Sequence, residues 1–508
     1  MTAPPRARVL ARSEHIVSRR NIDPDALKTL YRLHHAGFRA YLVGGGVRDL
    51  LLGRQPKDFD IGTDATPEEV LDLFRNSRVI GRRFPIVQVM FGRDRIFEVA
   101  TFRALAEPEE ETDPALTDQD TLEEEARLEA EADRLEGEDE DEERAQEADE
   151  EDADAEFDGE RAAAGFAAAL ARDEAAVLAA RARAALAAPP REPRSRRAYD
   201  RGRHLLEFAD QRYGSPAEDA WRRDLTINGL FYDIADFCVI DYVGGLADLE
   251  AGLIRAIGDP DQRFLGDPVR MIRALRHAGR TGFRIEPATW AAIVCHREHL
   301  SECSKARVLE EFYRDLRGGA ALPSLRLMRE AGLLAAIVPA LAEYLPPPAA
   351  EAAPAAPSAL PLPWRRLALL DAAMTEGEDL SNGFLLALLF AFPLLEALHA
   401  REREDPQARV DFGRLAYRFL KPITARLGVA RRDTEQLFLI ALSQRRLARC
   451  LDGEPVPGFF RNKPYFGEAY RLFQLDAEAR GLATPPLVFG RARRRARRRH
   501  RRRRSAAE

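Results

Sequence analysis

The residues best equipped for chemistry are Asp58 and Asp60, set two apart around Phe59. They follow the run Tyr41-Leu42-Val43-Gly44-Gly45-Gly46-Val47-Arg48-Asp49-Leu50-Leu51-Leu52-Gly53. On a strand, that spacing puts both carboxylates on one face and turns Phe59 into the core. The glycines let the backbone approach a bulky anion, and the helix after them points its positive end the same way. Hard carboxylate ligands beside a phosphate-accepting turn suit a pair of magnesium ions bridging a nucleoside triphosphate. A third acid, Glu98, falls inside the otherwise apolar run Ile96-Phe97-Glu98-Val99-Ala100. A lone carboxylate there is costly unless paired or metal-bound, which makes Glu98 the candidate third member of the set.

The surrounding elements can be read from local signals. Tyr41–Val43 reads as a strand and the residues after the glycines as a short helix. Asp23-Pro24 starts a helix over Ala26 to His35. Thr66 is placed as an N-cap, with Pro67 at the first helical position and Glu69 closing a capping box. Val70, Leu71, Leu73 and Phe74 form that helix's buried face. Ile86–Phe91 and Ile96–Arg103 alternate as two strands joined through Gly92-Arg93-Asp94. Further on, Asp267, Arg270 and Arg273 recur every three residues and are expected on one helical face, with Arg307, Glu310 and Glu311 repeating the pattern later. From about residue 285 onward the chain reads as helical, interrupted by a Pro/Ala linker.

These motifs resemble the DNA polymerase β-like nucleotidyltransferases. More closely, they are similar to the bacterial family of tRNA CCA-adding enzymes and poly(A) polymerases, whose motif LVGGxVRDxLLG precedes DxD. Arg222-Arg223-Asp224-Leu225-Thr226-Ile227-Asn228-Gly229-Leu230 resembles the family's RRDxTINxL. The resemblance implies an α+β nucleotidyltransferase head (a small mixed sheet with helices) followed by an all-α body. It implies Asp58 and Asp60 as metal ligands and, with Glu98 and Asp224, as the catalytic acids. Gly44, Gly45, Arg48 and Arg223 would hold the nucleotide, and Asp267 and Arg270 would read its base, supported by Arg273 and Arg307. A carboxylate can accept from an exocyclic amino group while a guanidinium donates to ring acceptors, so no nucleic-acid template is needed. The cofactor would be two Mg²⁺ ions, with Mn²⁺ as a substitute. One departure is visible: the family's Glu-Asp-x-x-Arg stands here as Gly266-Asp267-Pro268-Val269-Arg270.

Within that family, three features favour the polyadenylating branch. Val79-Ile80-Gly81-Arg82-Arg83-Phe84 resembles its basic signature, placing Arg82 and Arg83 on RNA. The lead-in His15-Ile16-Val17-Ser18-Arg19-Arg20 and the arginine-dense end resemble its termini. The implied activity is template-independent polyadenylation of RNA 3′ ends (mRNA, small RNA) from ATP, promoting decay, with the decay machinery as an expected partner. Alternatives are a CCA-adding tRNA nucleotidyltransferase and a catalytically weak RNA-binding adaptor.

Bulk properties agree with a polyanion-binding enzyme. The net charge is −7 over 508 residues. Residues 107–160 hold 29 Asp/Glu against three Arg, a local −26, so the remainder carries −7 − (−26) = +19. That remainder is basic. Eleven of the 14 residues from Arg491 to Arg504 are arginine, and Arg491, Arg493, Arg494 and Arg495 are placed on RNA phosphates. Four cysteines suggest a reducing cytoplasm rather than a disulfide framework. Cys295, His296, His299 and Cys303 fit no common zinc spacing. No apolar signal core is seen at the N-terminus. The run Phe384 to Leu395 reads as a buried helix too short to span a bilayer, and it contains Pro393. No membrane association and a monomer are expected. The domain boundaries follow as a basic lead-in (1–22), a head (23–103 and 205–258) and an acidic/Ala-rich insert (104–200). A helical nucleotide-recognition neck (259–345), a linker (346–363), a helical RNA-binding body (364–485) and the Arg-rich tail (486–508) complete the chain.

Overall fold

The computed structural model describes residues 7–81, 85–92, 95–104, 213–347, 359–404, 410–452, 455–484 and 487–490. Arg82, Arg83, Arg491, Arg493, Arg494 and Arg495, the acidic/Ala-rich insert beyond residue 104 and the arginine tail lie outside the described residues. The chain divides into two compact units. The first is built from residues up to 104, 213–304 and 331–333; the second takes 305–330 and 334 onward.

The first unit is a mixed sheet with helices. Its strands are β1 (Arg8–Leu10), β2 (Ala40–Val43), β3 (Asp60–Thr63), β4 (Ser77–Ile80), β5 (Ile86–Phe91), β6 (Arg95–Thr101), β7 (Leu230–Asp233) and β8 (Val239–Asp241). They run in the order β1-β8-β7-β2-β3-β6-β5-β4. Every pairing is antiparallel except β3 with β6, where Ile61 lies beside Val99. A small parallel pair, β9 (Leu253–Ile254) and β10 (Arg284–Ile285), stands apart. The helices are α1 (Pro24–His35), α2 (Gly45–Leu51), α3 (Pro67–Leu73), α4 (Pro216–Arg222), α5 (Gly245–Ala251), α6 (Pro260–Gly266), α7 (Val269–Thr281) and α8 (Pro287–His296).

Both faces of the sheet are covered. One packs Leu42, Ile61, Val87, Val99 and Tyr232 against Leu30 and Leu33 of α1, Val47 and Leu50 of α2, and Val70 of α3. The other packs Tyr41, Val43 and Phe231 against Phe102 and Ala220 of α4. Gly62 is required there, since a Cβ would lie 2.7 Å from the Phe102 ring. The expected capping box is present: Thr66 Oγ1 accepts from Glu69 N at 3.3 Å and Glu69 Oε2 from Thr66 N at 2.8 Å. Two boundaries differ from expectation. Asp58 precedes β3 instead of lying on it, and Asp267 caps the end of α6 rather than opening α7, whose N-cap is Pro268. The chain's φ at Asp267 is −151°, extended, so the three-residue repeat begins only at Arg270.

The second unit is almost wholly helical, as expected, apart from one two-strand pair. Its helices are α9 (Lys305–Arg317), α10 (Ala321–Glu330), α11 (Leu333–Ile337, entering from the first unit), α12 (Pro339–Tyr344), α13 (Leu362–Thr375), α14 (Asn382–Glu404), α15 (Phe412–Leu427), α16 (Arg431–Ala448) and α17 (Phe466–Ala479). The exception is β11 (Val456–Pro457) with β12 (Phe489–Gly490), near the end of the described chain. The Pro/Ala linker ends sooner than expected, because α13 starts at Leu362 with proline in its first turn. Arg366, 2 % exposed, ties several helices together. Its Nε donates to Asp476 of α17 at 2.7 Å, and its guanidinium stacks 3.6 Å from the Phe392 ring of α14. By length and composition α14 could cross a membrane, which corrects the expectation that the apolar run is too short; 72 % of its apolar window is buried inside the unit, as expected of a core helix.

Candidate functional site

The glycine turn and the two acids meet at the ends of β2 and β3. These strands pair antiparallel, with Val43 opposite Asp60, so Gly44 leaves β2 next to the point where Asp60 enters β3. Gly44 has φ +73° and ψ −136°, a region that only glycine enters readily. A Cβ there would also lie 2.9 Å from Arg223 Nη1 and 3.8 Å from Asp60 Oδ2. At Gly46 a Cβ would sit 3.2 Å from the Asp58 carbonyl, so this glycine lets the acid-bearing segment pass close over α2. The Gly44 N–H is spent on Leu230 O at 3.1 Å, which leaves the amides of Gly45 and Gly46, at the unpartnered start of α2, as the turn's donors. Because α2 has seven residues, its dipole adds little to them.

The alternation around Phe59 is present although Asp58 lies outside the strand. Phe59 is 8 % exposed and packs in the core, while Asp58 and Asp60 are both exposed. Continuing the β3–β6 register by one residue puts Glu98 beside Asp60. Glu98 Oε1 accepts from Gln88 Nε2 at 3.4 Å, its cross-strand neighbour on β5. The Asp60 carboxyl is raised above its ordinary value, first by desolvation, then by the charges of Glu98 and Asp58, against the lowering effect of Arg223. Among the described residues neither Asp58 nor Asp60 accepts a hydrogen bond or forms an ion pair. Mutually repelling acids of this kind are what a hard cation relieves. No three His, Cys, Asp or Glu among the described residues are grouped tightly enough to hold a metal alone. The donor set is therefore a pair of hard carboxylate ligands of the kind that fit a divalent cation. In the cysteine–histidine cluster both imidazoles engage carboxylates: His296 Nε2 lies 2.7 Å from Asp261 Oδ1, and His299 Nδ1 lies 3.1 Å from Glu302 Oε2.

Behind the acids lies a buried polar network that sequence spacing did not reveal. Arg48 is 2 % exposed. Its Nε donates to Asp49 Oδ1 at 2.9 Å and its Nη1 to Asn228 Oδ1 at 2.7 Å, with His277 Nδ1 at 3.2 Å. Asn228 Nδ2 donates to Asp224 Oδ1 at 3.2 Å and lies 3.3 Å from His277 Nε2. Asp224 also accepts from Leu225 N at 2.8 Å and from Arg273 Nε at 2.7 Å. Burial alone would raise the Asp224 carboxyl, but the Arg273 guanidinium, with its hydrogen bond and that of Asn228, holds it well below the usual carboxylate range. His277 is held neutral, first by burial and then by the adjacent Arg48 charge. Arg48, expected to grip phosphate, is here committed to a brace with its guanidinium turned away from solvent. Arg223 is more open. It pairs with Asp219 Oδ2 at 3.1 Å, lies 5.4 Å above the Phe231 ring and faces Gly44.

The segment carrying Arg223, Asp224 and Asn228 is fixed from behind. Thr226 Oγ1 donates to Asp248 of α5 at 2.6 Å, and Gly245 lies so close that a Cβ would be 2.1 Å from Thr226 O. Asp267 and Arg270 sit 3.6 Å apart as an ion pair at the α6–α7 junction. Arg307 lies on α9 in the second unit, where Glu310 and Glu311 both accept from Arg314. Asn228 lies within the TIN motif, where its spacing alone assigns it no role, and His277 lies one turn after Arg273 on α7. The three-residue repeat also continues to Arg276, which the sequence reading did not single out.

Known proteins resemble this chain. Residues 40–255 fit a family profile described as the poly A polymerase head domain, and residues 282–345 one described as a probable RNA and SrmB-binding site of polymerase A. The first unit is thus a nucleotidyltransferase head, of a class that generally uses divalent metal ions. Poly(A) polymerase I of Salmonella typhi is 32 % identical over 483 residues, covering 94 % of this chain and 83 % of that protein. A CCA-adding enzyme of Bacillus velezensis is 28 % identical over 319 residues, 63 % of this chain and 56 % of its own length. A solved CCA-adding enzyme in complex with ATP overlaps 93 % of this chain and 84 % of its own, at 18 % identity and a TM-score of 0.49. The chain belongs to the poly(A) polymerase family.

Proposed function

We propose that this chain adds AMP residues from ATP to RNA 3′ ends without a template, releasing pyrophosphate. The observation that carries the reading is the exposed Asp58–Asp60 pair, which among the described residues forms no ion pair and is set against the Gly44 turn. Asp58 and Asp60 hold divalent cations, two Mg²⁺ ions with Mn²⁺ as a substitute, and Glu98 supports Asp60 from the next strand. When bound, the metal supplies charge neutralisation and lowers the pKa of the attacking hydroxyl. The amides of Gly45 and Gly46 and the guanidinium of Arg223 receive the triphosphate. Arg48 acts behind them as a positioning residue, holding Asn228, which in turn holds Asp224 for the ribose. Asp267 and Arg270 face the base edge as an acceptor and a donor, with Arg273 fixing Asp224. Catalysis is then mainly positioning and charge compensation of an in-line displacement. RNA supplied with ATP alone should give a long adenylate ladder irrespective of sequence. A tRNA lacking its CCA end, offered CTP and ATP, should be extended no more selectively. A product that stops after CCA on the tRNA, with no ladder on other RNA, overturns the proposal.

A further inference from the structure

We propose that an aromatic–arginine face at the end of the second unit is a stacking surface for single-stranded RNA. It rests on the reading of the chain as an enzyme that extends RNA, and none of its residues lies within the matched RNA-binding segment 282–345. The face is built on the short 3-10 turn Gly458–Asn462, which follows β11 and is fixed by the parallel pairing of β11 with β12. Two adjacent phenylalanines of this turn point opposite ways. Phe460 is 1 % exposed and anchors the turn through edge-on contact with Phe466, 5.1 Å between centroids. Phe459 is 47 % exposed and is presented outward. The Arg446 guanidinium lies 5.6 Å from the Phe459 centroid and 5.2 Å from that of Phe460, so it is wedged between the two rings. Arg461, exposed on the same turn, sits 5.5 Å over Phe489 of β12, and Phe489 lies 6.1 Å from Phe466.

A core aromatic cluster has no use for two guanidinium planes on its outer rings, and a greasy protein partner would have to desolvate both. Single-stranded RNA offers what the face can take: flat bases to stack on Phe459 and Phe489, and phosphates for the arginines. Position along the chain adds a second argument. β12 ends at Gly490, and the next residue opens the stretch with 11 arginines in 14 positions, so that density of charge is tethered to the edge of this face. Stacking is indifferent to base identity, which suits a substrate of changing 3′ sequence.

The test measures binding of the full-length chain to a labelled single-stranded RNA oligomer, with an RNA duplex of equal length as the comparison. Phe459→Ala should weaken single-strand binding by about fivefold or more with an unchanged salt slope, and Phe459→Trp should restore it. Arg461→Ala should weaken binding and flatten the salt slope by about one. Both variants should bind duplex as the parent does and add AMP normally at saturating RNA. Wild-type affinity for single strands in Phe459→Ala overturns the proposal, as does an altered association state of the chain with RNA binding untouched, which would make the face a protein contact. A parent chain that adds no AMP while Phe459→Ala still loses RNA binding would refute the enzymatic reading and leave the surface standing.

Discussion

A lysine at position 277 would put a second full charge beside the Arg48 guanidinium, where His277 now presents an uncharged ring 3.2 Å away. His277→Lys should therefore reduce AMP incorporation at least about tenfold and destabilise the head by about 2–4 kcal/mol, read by steady-state kinetics and denaturant unfolding. His277→Gln, which keeps a neutral hydrogen-bonding group, should retain most of both. Asp58→Ala and Asp60→Ala should each abolish nucleotide addition while leaving RNA affinity, measured by filter binding, nearly unchanged; either variant extending RNA at a near-normal rate removes both carboxylates from the metal assignment. The acids were legible because an apolar residue between two carboxylates fixes which way each faces. The brace was not, because Arg48, Asn228 and His277 are 180 and 229 positions apart and are brought together only by the fold.

The elements that deliver these side chains were mostly written in local signals. Caps, prolines and alternation predicted α1, α3, β5 and β6, since each is decided by neighbours within a few residues. Where α7 begins was not, because Pro268 itself serves as its N-cap and leaves Asp267 extended. Glycine positions are the sharpest test at this scale. Gly44→Ala should cost about 1–3 kcal/mol from backbone strain alone and raise the KM for ATP more than it lowers RNA affinity. The start of α10 offers a pH signature. Asp371 accepts from the amides of Ala321 and Leu322, yet burial pushes its carboxyl from 3.8 up to about 6. The folded chain then holds that proton more tightly than the unfolded one, so the stability it contributes is present below 3.8 and lost as pH rises through 6. Asp371→Asn should lose less stability than the parent between about pH 4 and about pH 8, by about 1–2 kcal/mol once its partial solvent contact is discounted.

Across the whole molecule, charge is segregated by sequence segment. Residues 107–160 carry −26 against +19 elsewhere, so exchanging them for a short neutral linker should tighten RNA binding more at low salt than at high salt. Equal affinity at both salts would reduce the segment to a spacer. Composition alone announced this polarity, and it also announced a helical second half. The division of that half at residue 305, and the β11–β12 pair that closes it, depend on contacts between distant residues and had no local sign.

The head is closed at the point where the long excursion leaves and re-enters it. Arg103 and Tyr213 face each other in a β-bridge, and Gly214 N donates to Phe102 O at 2.9 Å. The residues on either side of the whole 105–212 excursion are thus neighbours in the head, so the sheet is closed whatever length of chain is looped out between them. Each doubling of a flexible excursion adds only about 0.6 kcal/mol of closure entropy. Such a junction works as an evolutionary docking port, at which a lineage can lengthen, shorten or recharge the excursion without retuning the enzyme beneath it.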